Sequence, residues 1–141
     1  MNGAASRRRA ALAPSGTELI FIWFQRVVAA YCLLFGILYW VRLIGFYQAP
    51  LWRFDLMPVH WQIATILLSV FFPFAAAGLW MLASWGPVIW FICAFTETVM
   101  YAGFPKLFGE ERLTLASHAA VALLYIALRV VLHWQKRQAS Q

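Results

Sequence analysis

Residues 19–47 read LIFIWFQRVVAAYCLLFGILYWVRLIGFY, an apolar and aromatic run in which Arg26 and Arg42 are the charged members. About 20 apolar residues suffice for one helix to cross the hydrocarbon core of a bilayer. The run is too long for the apolar region of a signal peptide, and it ends without a small-x-small cleavage site. It therefore predicts a first membrane-spanning helix that stays in the mature protein.

The whole chain has the same apolar character. Of its 141 residues, 64% are hydrophobic and 11% are charged, whereas soluble domains are roughly 45–50% apolar and 25% charged. This balance excludes a soluble globular protein and a disordered one. The formal net charge of +6 resides near the ends of the apolar runs, where its expected partner is anionic lipid and not nucleic acid.

Three further apolar runs predict three further spans. The turn between the second and third runs contains Gly86 and Pro87 and is short, so these two spans should be antiparallel. Pro73 lies inside the second span and removes one hydrogen bond to Ser69. The sequence therefore predicts an all-α antiparallel bundle of four transmembrane helices. The predicted spans cover residues 19–47, 58–83, 87–104 and 113–134 in a domain at 19–134, between a flexible basic tail at 1–18 and a polar tail at 135–141.

Basic residues outside the spans set the expected orientation. Three arginines precede the first span, and Lys136 and Arg137 follow the last, whereas the two opposite loops carry fewer basic residues together with acids. Because cytoplasmic segments are enriched in Lys and Arg, both termini should face the cytoplasm and the protein should be a multi-pass membrane protein. Arg26 can lean back toward the inner headgroups. The predicted contacts with anionic lipid are Arg7, Arg8, Arg9, Arg26, Lys136 and Arg137.

Ionisable residues inside the spans require partners, because a charged side chain at the bilayer centre costs about 2.5 kcal/mol or more. Glu97 is the acid deep in a span, and an ion pair with Arg42 or Arg129 would relieve both partners. In the last span, Thr114, His118, Tyr125 and Arg129 recur at helical spacings and should point into the bundle. When residues are counted inward from the two outer loops, several polar groups are expected at a similar depth in the membrane. The predicted intramembrane polar cluster consists of Arg42, His60, Gln62, Glu97, His118 and Arg129.

This cluster has three alternative interpretations. It can be structural, because polar side chains join helices in a solvent that gives no hydrophobic drive between them. It can be a proton- or substrate-coupled site, since intramembrane ionisable residues are functional candidates by default. His60 and His118 can also be ligands of a haem or a metal ion, although two histidines without a defined ligand spacing are a weak signal. We expect no metal and no cofactor.

Six short segments carry a resemblance to a known family: DLMPVHW at 55–61, WGP at 85–87, TE at 96–97, MY at 100–101, FP at 104–105 and FG at 108–109. The chain resembles a family of small, uncharacterised four-helix membrane proteins of alphaproteobacteria, described as a domain of unknown function. The similarity covers everything except the two tails. It implies an inner-membrane location without implying an activity.

A second resemblance concerns the short length of the chain and its single membrane-embedded glutamate. The small multidrug resistance transporters also pack four helices into a short chain and rely on one membrane-embedded glutamate. Their glutamate lies in the first helix, whereas here the first span carries Arg42 and the acid is Glu97 in the third. The likeness keeps transport as an alternative.

The expected function depends mainly on the catalytic and metal-binding motifs that the sequence lacks. The sequence contains no phosphate loop, no nucleophile–base arrangement and no strong metal motif. We therefore expect a non-enzymatic accessory or assembly subunit of a membrane complex, in contact with other membrane protein subunits or with a second copy of itself. The first alternative is a small proton-coupled transporter that works as a homodimer and carries the proton on Glu97. The second is a membrane haem or redox protein.

Overall fold

The structure, a computed structural model, describes residues 3–7 and 13–141, and within these residues it is helical and contains no strand. Three of the helices are long and apolar enough to cross a membrane: α1, α2 and α5. A π-helical turn at Val99–Gly103 extends α3. The α-helices are α1 (Gly16–Ile44), α2 (Val59–Trp80), α3 (Trp85–Thr98), the short α4 (Pro105–Phe108) and α5 (Arg112–Ala139), with 3-10 turns at Pro50–Trp52 and Phe54–Leu56.

Local capping signals decide where α1 begins and ends. The Ser15 hydroxyl accepts from the Glu18 backbone N–H, and the Glu18 carboxylate accepts from the Ser15 N–H, at 3.2 and 3.0 Å. This capping box satisfies donors that a helix start leaves free. At the other end, Gly45 adopts φ 71° and its N–H donates to the Val41 carbonyl. The helix therefore covers Gly16–Ile44, whereas the predicted first span covers residues 19–47.

The remaining helix ends also differ from the predicted spans. α2 ends at Trp80, before the predicted residue 83, and Pro58 precedes its first residue. α3 begins at Trp85 with Pro87 in its first turn. α5 continues through residues 135–139, which were assigned to a polar tail. Its last turns contain good helix formers, and two of them are basic residues that favour the negative end of the helix dipole.

α2 and α3 form a close hairpin. A methyl group added to Gly78 would meet the Cα of Gly86 and the ring of Trp85, and one added to Gly86 would meet the backbone of Gly78. Glycine at both positions thus lets the two backbones touch. At the far end of the pair, the rings of Trp61 and Tyr101 pack 6.5 Å apart. α3 and its π-helical turn therefore run along the length of α2.

α5 packs along α1 through side chains. The hydroxyls of Tyr31 and Ser117 are 2.6 Å apart, and the Gln135 amide donates to the Thr17 hydroxyl over 3.0 Å. The two contacts occur in opposite order along the two helices, so α1 and α5 are antiparallel. The second contact places the start of α1 and the end of α5 at the same end of the bundle.

Pro73 lies inside α2 without interrupting it. Because proline has no N–H, the Ser69 carbonyl lacks its intrahelical donor. The indole N–H of Trp40 on α1 donates to that carbonyl over 3.0 Å. The Pro73 ring also packs so closely against Gly36 that a methyl group there would lie 2.8 Å from it. The neighbouring helix thus supplies the missing bond, as in other membrane helices that contain proline.

We predict that the Trp40→Phe variant loses about 1–3 kcal/mol of unfolding free energy, because it leaves the Ser69 carbonyl without a donor. In a Pro73→Ala background the new backbone N–H can donate to this carbonyl, so the same Trp40 substitution should cost less. Unfolding in mixed SDS micelles measures both costs, and the double-mutant cycle removes the lost indole contacts, which are common to both. Equal costs in the two backgrounds would contradict the assignment.

Candidate functional site

Glu97 is buried at the junction of three helices. Its side chain is 1% exposed, and it occupies the last turn of α3, directly before the π-helical turn at Val99–Gly103. π-helical turns inside helices occur frequently at functional sites. A carboxylate this deeply buried is stable only if hydrogen bonds or charges compensate for its lost hydration.

Two side chains from two other helices provide that compensation. The Tyr39 hydroxyl on α1 donates to Glu97 Oε1 over 2.5 Å. His118 Nε2 on α5 hydrogen-bonds Glu97 Oε2, and His118 is itself 3% exposed. One carboxylate therefore joins α1, α3 and α5. The direct partners of Glu97 are Tyr39 and His118, and neither Arg42 nor Arg129 is paired with it in the described chain.

The second ring nitrogen of His118, Nδ1, is buried and has no hydrogen-bond partner among residues 3–7 and 13–141. A neutral imidazole with its proton on Nε2 leaves only a lone pair at Nδ1. An imidazolium would leave a buried N–H without an acceptor, at a cost of about 1–3 kcal/mol. The site is therefore a buried carboxyl group that is hydrogen-bonded by a phenol and by an imidazole.

A cavity of about 420 Å³ adjoins the carboxylate. The carbon at the centre of the Arg42 guanidinium lies 4.8, 5.1 and 5.4 Å from the ring centroids of Trp52, Trp61 and Tyr39. Such cation–π contacts stabilise a desolvated cation. Arg42 Nε and Nη1 are buried without an acceptor in the described residues. The ionisable and hydroxyl groups on the cavity wall belong to Tyr39, Arg42, Glu97, Tyr101, Glu111 and Thr114.

Three members of the predicted cluster lie elsewhere. His60 Nε2 donates to the Leu107 carbonyl over 3.1 Å, and the Gln62 amide donates to the Phe54 carbonyl over 3.0 Å. Both bonds attach α2 to the segments that connect the long helices. Arg129 is exposed, and its Nε donates to the Tyr125 hydroxyl one turn earlier, over 3.2 Å. His60 and His118 are thus engaged with different partners and do not converge on a shared ligand position.

Sequence reasoning overlooked Tyr39, although a signal for it exists. Tyr39 precedes Arg42 by three residues and follows Tyr31 by eight, so all three lie on one face of α1. Arg42 points back along α1 toward Tyr39, as side chains in helices do. A search for polar residues at helical spacing from Arg42 would have found the residue that bonds Glu97.

At the end of the bundle where α1 begins and α5 ends, the basic residues lie near aromatic side chains or at the surface. The Arg26 guanidinium lies 5.7 and 5.5 Å from the ring centroids of Trp23 and Trp80. Arg7, Lys136 and Arg137 are exposed. The other two predicted lipid contacts, Arg8 and Arg9, lie outside the described residues.

Comparison with known proteins identifies a family. Residues 19–136 match the model of a family of unknown function, DUF6163, and the chain belongs to this family. The match confirms the resemblance to an uncharacterised domain that the short sequence segments indicated. No curated protein and no solved structure matches the chain.

We predict that Glu97→Ala destabilises the protein far more than Glu97→Gln does. The alanine variant strands the Tyr39 hydroxyl and His118 Nε2, at about 1–3 kcal/mol for each unpaired group. The glutamine carbonyl retains an acceptor for Tyr39, and its amide N–H can donate to His118 Nε2 when the imidazole proton moves to Nδ1. That tautomer leaves one buried N–H without an acceptor, against two unpaired groups in the alanine variant. Reversible unfolding in detergent measures both variants, with exposed Glu110→Ala as the control. Wild-type stability in both Glu97 variants would show that the buried bonds contribute nothing to the fold.

Proposed function

We propose that this member of the DUF6163 family is a small four-span, non-enzymatic membrane protein that couples proton binding at Glu97 to occupation of the adjacent cavity. One observation carries the proposal: a buried carboxylate, hydrogen-bonded by a phenol and an imidazole, on the wall of a cavity. Intramembrane acids and histidines in this setting are typical of proton relays in pumps and transporters. The small proton-coupled transporter is therefore the favoured interpretation.

The chemistry requires a proton to move between Glu97 and its surroundings. Glu97 Oε1 and Oε2 accept from Tyr39 and His118, and the carboxylate also lies on the cavity wall. A proton that arrives from the cavity would convert the carboxylate to a carboxylic acid and weaken the bonds it accepts. Arg42 lies on the same cavity wall. The groups around Glu97 that titrate or carry charge are Tyr31, Cys32, Tyr39 and Arg42 on α1, Cys93 and Tyr101 on α3 and its π-helical turn, and His118 on α5.

Polar groups also continue from His118 toward the Gly16 end of the bundle. The Tyr31 ring packs edge-on against His118 with centroids 6.0 Å apart, and the Tyr31 hydroxyl bonds Ser117. Gln25 is buried further along the same helix, at 7% exposure. These polar groups lie on the side of Glu97 away from the cavity, where a proton relay toward the Gly16 end would have to run.

We further propose that α3 with its π-helical turn is the fourth span. Its 14 α-helical residues cover about 21 Å at 1.5 Å per residue, and the π-helical turn extends this length toward that of α2. With four spans, both termini lie on one side of the membrane. The basic residues at that end favour the cytoplasm of a bacterium and contact with anionic lipid.

The opposite end carries basic residues that acids partly neutralise. Arg53 bonds Asp55 over 2.6 Å, and Arg112 bonds Glu110 over 3.2 Å. The hydrogen bonds from Arg53 hold the pKa of the Asp55 carboxyl below its usual range, so this pair stays ionised at neutral pH. Once these acids are subtracted, the two ends differ more in net charge than in their number of basic residues. This larger difference supports a cytoplasmic location for both termini.

Reporter fusions test this topology. Fusions after Gly3 and Ser140 should report the cytoplasm, and insertions beside Arg53 and Glu110 should report the outside. A fusion in the Ser84 turn should report the cytoplasm, because α3 returns to the outer side from there. Cytoplasmic signals from both the Ser84 turn and the Glu110 loop would contradict a spanning α3.

Proton flux into proteoliposomes tests the proposed function. A potassium gradient with valinomycin imposes a negative interior, and an enclosed pH-sensitive dye reports acidification. Wild-type protein should acidify the interior faster than empty vesicles, and Glu97→Gln should lower the rate to that of empty vesicles because the amide carries no exchangeable acid proton. Exposed Glu18→Gln is the matched control and should retain the wild-type rate. Equal rates in folded Glu97→Gln and wild-type protein would overturn the proposal.

A second candidate function is an accessory subunit of a membrane complex, and the surface of α5 favours it. Within the described chain, α5 buries only His118 and Leu132. Its alanines at 116, 119, 120 and 127 are exposed, and small residues allow another helix to approach closely. Either another subunit or a second copy would fit this face. Absence of flux together with larger proteins that co-purify in mild detergent would favour this function.

A further inference from the structure

We propose that the cavity beside Glu97 binds an amphiphile with a single anionic oxygen head group, a carboxylate or a phosphodiester, which Arg42 pairs with. The inference rests on the proposed function for the role of the cavity as the binding chamber, and it adds the chemical class of the molecule bound. Anion binding itself requires no proton movement, so the two proposals can fail separately.

Arg42 supplies the cation. Its Nε and Nη1 are buried without an acceptor in the part of the chain that the structure describes, although the guanidinium lies on the cavity wall. Unpaired buried donors of a charged group are costly, and an oxyanion is the partner whose geometry matches a guanidinium. The three aromatic rings around Arg42 hold its position but offer no hydrogen-bond acceptor of comparable strength.

The rest of the wall restricts the charge and shape of the ligand. Glu97 and Glu111 line the same cavity as Arg42, so a dianion would meet two acids for one cation. Aromatic and aliphatic side chains form much of the remaining wall, including Phe35, Trp52 and Phe108. A volume of about 420 Å³ falls in the range of small-molecule sites. A monoanionic head on an apolar body satisfies all three conditions.

The cavity lies at the end of the bundle where α1 ends and α5 begins. Leu51 and Trp52 follow α1, and Glu111 and Thr114 flank the start of α5. A ligand at this level could be a free carboxylate from the aqueous side or the head group of an anionic phospholipid from the adjacent leaflet. Both sources present the same oxyanion to Arg42.

Two measurements at one pH distinguish these sources. Isothermal titration of benzoate into full-length protein in phosphatidylcholine nanodiscs tests the free carboxylate, with benzamide as the uncharged isostere. Native mass spectrometry of protein released from mixed phosphatidylcholine and phosphatidylglycerol membranes tests the lipid. We expect saturable binding of benzoate and not benzamide, or selective retention of phosphatidylglycerol. Binding of neither anion, or equal binding of benzamide and benzoate with no retained phosphatidylglycerol, would overturn the inference.

Variants locate the binding to the cavity. Arg42→Gln should weaken anion binding about tenfold or more, as expected for the loss of hydrogen bonds from a charged donor. Arg53→Gln is the matched control, because Arg53 lies at the same end outside the cavity wall, and it should bind as wild type. If Arg42→Gln fails to fold, Thr114→Phe decides, since it fills the cavity and leaves Arg42 in place. Wild-type affinity in a folded Arg42→Gln or Thr114→Phe variant would overturn the inference.

A further variant separates this inference from the proposed function. Glu97→Gln should retain anion binding, because Arg42 is unchanged, while it loses proton flux. Anion binding without Glu97-dependent flux would support the inference and reject the proposed function. Flux without anion binding would do the reverse.

Discussion

The hydrogen bonds from Tyr39 and His118 to the buried Glu97 carboxylate constrain the arrangement of three helices. In a bilayer, helices gain no hydrophobic free energy by meeting one another, so packing and polar contacts decide which faces pair. A carboxylate with two donors on two other helices fixes the rotation of each helix about its axis. Any other rotation would leave the carboxylate, the phenol or the imidazole without these partners, and an unpaired buried polar group is costly.

α2 contributes no group to this carboxylate and is held by close backbone packing. Gly78 meets Gly86 on α3, and Pro73 packs against Gly36 on α1. The hydrogen bond from Trp40 to the Ser69 carbonyl adds a polar contact on the same side. The bundle thus combines hydrogen bonds to Glu97, which join α1, α3 and α5, with close packing of α2 against α1 and α3. The α2 contacts leave other faces of α1 and α3 for the polar site.

The helical fold could be predicted because long apolar runs indicate membrane helices directly, but the positions of helix ends could not be read from hydropathy. Ser15 and Gly45 end α1 through backbone hydrogen bonds that no hydropathy pattern contains. Counting residues from the outer loops predicted one level for Glu97 and His118, and in the structure these two side chains are hydrogen-bonded. The rotation of each helix could not, so His60 and Arg129 were assigned to a cluster that they do not join. Tyr39 was overlooked because a tyrosine in a span resembles an ordinary packing residue.

Arg42 and Glu97 share one cavity wall as opposite charges without a direct ion pair. A direct pair would satisfy both groups and leave neither able to respond to a proton or a ligand. Tyr39 separates their roles, because its hydroxyl bonds Glu97 while its ring lies against the Arg42 guanidinium. In the proposal, an anion that binds Arg42 also meets Glu97 and Glu111 on the same wall, and like charges repel strongly where little water separates them. Occupation of the cavity by an anion would therefore act on Glu97 through charge alone, with no moving part between the two groups.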